Sequence, residues 1–108
     1  MKIKIDQPIK DFNGKVLDSG DKEKTPVTFR PIIENALNSH SEQHPLTSEK
    51  KLYAFQIGVR LFSKKLAEYD LTVEQIAFLK ERIGLFYTPV VYGRFLELIG
   101  DTAIEKEE

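Results

Sequence analysis

The chain contains no cysteine and no tryptophan. The first absence excludes a disulfide framework, a thiolate metal site and a cysteine nucleophile. Neither sign of charge is in excess. Sixteen Lys and Arg stand against 17 Asp and Glu, a formal net charge of -1, so there is no overall electrostatic drive toward nucleic acid or an anionic membrane. No uninterrupted apolar run approaches the roughly 20 residues of a membrane span, and residues 1–6 (Met-Lys-Ile-Lys-Ile-Asp) lack the apolar stretch of a signal peptide. Gly-rich phosphate loops and Gly-x-Ser-x-Gly elbows are missing too. What is present is 108 residues, 41% of them hydrophobic, enough for one modest core in one domain over residues 1–100. A cytoplasmic location is expected.

Ile3, Ile5 and Ile9 alternate with Lys4, Asp6 and Lys10, the period of a half-buried strand that Pro8 confines to an edge or breaks. Asn13-Gly14 marks a turn. A two-residue loop would pair Lys10 with Leu17 and leave neither face apolar. A three-residue loop of Phe12, Asn13 and Gly14, with Gly14 left-handed, sets Asp11 against Lys15 and Ile9 against Leu17. A hairpin over residues 2–18 is therefore expected, followed by a polar connection over residues 18–26.

Four helices follow. Phe29, Ile32, Ile33, Ala36 and Leu37 share one face of a helix over about 29–38. After a polar loop containing Pro45, a second helix runs over about 48–69. It carries two apolar stripes: Leu52, Phe55, Val59, Phe62 and Leu66 on one, Tyr53, Ile57 and Leu61 on the other. Thr72 and Gln75 form the signature of a capping box, with Leu71 placed to staple Ile76, opening a third helix over about 73–86 with Glu74, Lys80, Glu81 and Arg82 in water. Thr88-Pro89 restarts the chain as a fourth helix over about 89–99, and Gly100 stops it. Residues 101–108 read as an acidic flexible tail. The fold class is α+β, mainly α: an N-terminal β-hairpin followed by a bundle of about four helices.

Candidate chemistry is sparse. His40 and His44 are four apart, but Pro45 argues against a helix there and Glu42 does not directly follow the first histidine, as the metalloprotease pattern requires. Asp11-Phe-Asn-Gly14 has its glycine too early for a calcium loop and Lys15 at a ligand position. The carboxylates are interleaved with Lys and Arg, as on solvated helix faces. No catalytic residue, metal or cofactor is assigned, and the chain is read as not an enzyme. A helix-turn-helix over residues 75–96 needs a shorter turn and more bases than Arg94, so a DNA-binding regulator stands as the alternative.

Two surfaces invite partners. Tyr87, Tyr92 and Arg94 surround the Thr88-Pro89 elbow, and Tyr and Arg are the residue types that anchor interfaces. The second helix is apolar over more than half its circumference, which points to a homo-oligomer formed through Tyr53, Ile57 and Leu61.

The hairpin residues Ile3-x-Ile5-Asp6-Gln7-Pro8-Ile9-x-Asp11-x-x-Gly14-Lys15, the short first helix, and Leu71-Thr-x-Glu-Gln-Ile76 leading through Ile83-Gly84 to Tyr87-Thr-Pro89 occur in that order. Together they resemble a group of small proteins encoded in tailed bacteriophages and prophages. The likeness covers nearly the whole chain, rests on signals of hairpin, cap and turn, and transfers no catalytic or binding residue. It implies a bacterial cytoplasm and a non-catalytic accessory protein acting by protein–protein association, in particle assembly or on a host protein.

Overall fold

The computed structural model describes residues 1–20, 25–39 and 41–100. The expectations that fall on His40, on residues 21–24 of the polar connection and on the tail 101–108 lie outside the described residues. The fold is mainly α with a small β part. In chain order the elements are β1 (Lys2–Ile3), α1 (Phe29–Asn38), α2 (Ser48–Phe62), β2 (Tyr69–Asp70), α3 (Val73–Phe86) and α4 (Pro89–Leu98).

Local chemistry explains the helix starts. The Thr72 hydroxyl accepts from the Gln75 amide and the Gln75 side chain accepts from the Thr72 amide, so both halves of the capping box are made. Thr47 caps α2 by accepting from the Lys50 amide. Thr88 caps α4 with Pro89 in its first turn. Thr28 precedes α1 without a side-chain cap. The reason is Pro31: it occupies the third helical position and removes an N–H that a capping hydroxyl would bind.

The N-terminal turn has the three-residue geometry. The Asp11 amide donates to the Lys15 carbonyl, Gly14 sits at φ 85°, and the Asp11 carboxylate accepts from the Asn13 and Lys15 amides. Beyond the turn the pairing departs from a simple hairpin. Ile9 N–H donates to Val27 O, Val27 N–H to Leu17 O, and Leu17 N–H to Ile9 O, at 2.8 to 2.9 Å. Three short extended segments thus close a three-sided ring, each central residue spending its N–H on one neighbour and its C=O on the other. Pro8 and Pro26 sit in the adjoining bridges to Thr28 and Asp18. The residues at the start of the chain do not pair within the hairpin either: β1 lies antiparallel to β2, with Lys2 opposite Asp70 and Ile3 opposite Tyr69.

The second helix is shorter than its apolar period suggests, ending at Phe62 rather than Tyr69. Continued helix would place Lys65 and Glu68 four and seven positions after Leu61, on the buried face, and would drive two charges into the core. The chain instead leaves the helix and returns as β2, burying Tyr69. The Tyr69 hydroxyl donates to Lys64 O, accepts from Leu66 N–H and accepts from Arg30, so the polar tip is satisfied where the ring is buried.

The core joins Ile5 and Ile9 of the N-terminal part to Ile33 of α1, Ile57 and Leu61 of α2, Leu79 and Ile83 of α3 and Phe95 of α4. Arg82 departs from expectation. It is not in water but only 4% exposed, donating to Ser39 O at 2.7 Å while its guanidinium lies 4.8 Å from the Phe86 ring centroid. It binds the carbonyl end of α1, where a cation is favoured, and ties the start of the loop before α2 to α3.

Candidate association surface

Successive residues of a helix turn by about 100°, so Ala54, Ile57 and Leu61 fall on one side of α2 while Leu52, Phe55 and Val59 fall opposite them. The first set is buried in the core, on the side where α2 packs against α1. The second faces outward: Leu52 is 57% exposed, Phe55 66% and Val59 47%. Phe62 extends this stripe and is half-buried, with the Arg30 guanidinium 5.8 Å from its ring centroid.

Ile57 and Leu61, assigned to self-association on sequence grounds, are therefore wholly buried inside the chain. Tyr53 is half-buried and meets Phe78 edge-on, with ring centroids 5.2 Å apart. The two stripes have exchanged roles. Periodicity detects both stripes but says nothing about which one α1, α3 and the N-terminal isoleucines will cover.

Beside the outward stripe a groove of about 570 Å³ runs between α1 and α2. Leu37, Ala54 and Gly58 are among its lining residues, with Phe55, Val59 and Phe62 on the α2 side and Glu34 and Lys51 supplying charge. A β-carbon at Gly58 would stand in ordinary contact with Leu37 Cδ1, 3.9 Å away. The apolar area exposed along the stripe is roughly 300–400 Å², the size at which a monomer's largest patch is often functional.

The elbow does not form one patch. Tyr92 and Arg94 are two positions apart, and such residues point to different sides of a helix. Tyr92 packs toward α3, its Cε1 lying 3.0 Å from where a Gly84 β-carbon would stand. Arg94 turns to the N-terminal part: Nε donates to Lys10 O at 2.9 Å, Nη2 donates to Asp11 O, and Nη1 pairs with Glu97 at 3.0 Å. Tyr87 is half-buried against the core. Tyr92 and Arg94 are thus engaged within the chain on different sides of α4, rather than joining Tyr87 in the single patch that their assignment to a recognition site expected.

Other polar groups are similarly engaged. Arg30 forms a forked pair with Asp6, with both N–O distances 2.8 Å, and donates to Tyr69 Oη. The hydrogen bonds from Arg30 hold the Asp6 carboxyl below its ordinary range, and Asp6 and Tyr69 together hold the Arg30 guanidinium still more firmly charged. His44 stands edge-on to Phe86, ring centroids 6.3 Å apart. Among the described residues no three His, Asp or Glu side chains converge as metal ligands, and no helix is long and apolar enough to cross a membrane.

Comparison of the chain with protein-family models, with curated proteins and with solved structures finds no match to any of them.

Proposed function

We propose that the chain is a non-catalytic association module whose outward α2 face binds a second copy of the same chain. The carrying observation is the exposed stripe Leu52, Phe55, Val59 and Phe62. Its spacing of three, four and three is that of a two-heptad seam. That spacing reads the same in both directions about Ile57. An antiparallel copy related by a two-fold axis sets Leu52 against the partner's Phe62 and Phe55 against the partner's Val59. Self-complementary patches of this kind are what a symmetric dimer requires. The resemblance to small phage and prophage proteins would place this association in particle assembly or on a host protein.

The stripe supplies about half of the roughly 800 Å² that each partner buries in a standard interface, so dimerisation should depend on concentration. Sedimentation velocity across a concentration series tests it. The wild type should move from monomer to dimer as concentration rises, and Phe55→Glu should remain a folded monomer at every concentration. A wild type that stays strictly monomeric at the highest soluble concentration would refute the proposal.

A further inference from the structure

A second groove lies on the other flank of α2, between the N-terminal half of α2 and residues 74–81 of α3. Its volume is about 590 Å³. The Tyr53 ring, Ala77 and Phe78 supply apolar lining, and Glu49, Glu74 and Glu81 bring three carboxylates against the single amine of Lys50. On α3 the lining residues Glu74, Ala77, Phe78 and Glu81 follow the spacing of one helix face. Within that lining Tyr53 and Phe78 meet edge-on, with ring centroids 5.2 Å apart. None of the three carboxylates has an ion pair or hydrogen bond among the described residues, in contrast to Asp6 and Glu97, which hold Arg30 and Arg94.

We infer that this groove docks a cationic amphipathic segment of a partner protein, apolar side chains on the Tyr53–Phe78 floor and Lys or Arg side chains against the glutamates. The charge is complementary to such a segment and opposed to nucleic acid or an anionic membrane, which three carboxylates around one groove would repel. The apolar floor supplies contact area. Neutralising each carboxylate individually should matter little, because exposed pairs are weak. Their effect comes from three of one sign around one groove. The inference is independent of α2 self-association, which uses the opposite flank.

The test is a titration of the full chain, followed by amide chemical shifts, with a helical peptide of leucine and lysine at amphipathic spacing and with its glutamate-for-lysine counterpart. The lysine peptide should shift residues 49–53 and 74–81. Its affinity should fall several-fold in Glu74→Gln/Glu81→Gln and should weaken in high salt. The glutamate peptide should not bind. The Phe55→Glu variant should bind the lysine peptide as the wild type does, which separates this site from the dimer seam. Equal binding of both peptides, shifts confined to Leu52, Phe55 and Val59, or an unchanged affinity in the double glutamine variant would each overturn the inference. Glu74 lies in the first turn of α3, where a carboxylate is favoured, so that variant should stay cooperatively folded with a thermal midpoint lowered by no more than a few degrees.

Discussion

Replacing Arg94 by Ala separates a structural role from a recognition role. The guanidinium bridges α4 to the N-terminal turn through the carbonyls of Lys10 and Asp11 and pairs with Glu97 on its own helix. Hydrogen bonds from a charged donor contribute about 1.5–3 kcal/mol each in protected surroundings. Here Lys10 is exposed and Asp11 half-buried, so water recovers part of that when the donor is removed. The Glu97 pair, with its carboxylate 61% exposed, adds about 0–1 kcal/mol. The net cost should be about 1–2 kcal/mol. At about 4–8 °C per kcal/mol for a domain of this size, the melting midpoint should drop by about 5–15 °C in circular dichroism. Arg94→Lys should restore at most about half of the loss, because an ammonium cannot address two carbonyls and a carboxylate from one rigid plane. Glu97→Ala should cost under about 0.5 kcal/mol. An Arg94→Ala protein that melts within about 2 °C of the wild type yet fails to self-associate would refute the structural assignment and restore the elbow as a binding site.

Two glycines should respond oppositely to alanine. Gly58→Ala removes backbone freedom without a clash and should stabilise by up to about 1 kcal/mol, whereas Gly84→Ala places a methyl 3.0 Å from the Tyr92 ring and should lose that gain and more; urea midpoints distinguish them. Ile57→Glu should fail to fold, as shown by loss of the cooperative unfolding transition, because it buries an unpaired carboxylate at a cost of several kcal/mol, while Phe55→Glu on the opposite face keeps the wild-type transition. The Asp6–Arg30 pair predicts an acid dependence. The folded carboxyl titrates below its ordinary 3.8, so its contribution is complete above that value and is lost as pH falls through the folded pKa. Asp6→Asn should therefore flatten the decline of the urea midpoint below about pH 4.

The sequence determined the features whose chemistry is local. Thr72 with Gln75, Thr88 with Pro89, and Asn13 with Gly14 each complete their own hydrogen bonds or backbone geometry within a few residues. The bounds of α1 and α3 and the three-residue loop were accordingly legible. Tertiary structure decided whatever depended on a distant neighbour. Ile9, Leu17 and Val27 form a ring only because three separate segments converge, and β1 finds its partner in β2 rather than in the hairpin. The end of α2 was set by the need to keep Lys65 and Glu68 out of the core and to bring Tyr69 into it. A linear reading leaves the charge of Arg82 in water and gives that of Arg94 to a partner, and only the folded chain supplies the carbonyls of Ser39, Lys10 and Asp11 that receive them. The same holds for the candidate site. Two apolar stripes are written into α2, but burial is a property of what packs on a face, and the covering of Ile57 and Leu61 left Leu52, Phe55 and Val59 facing outward.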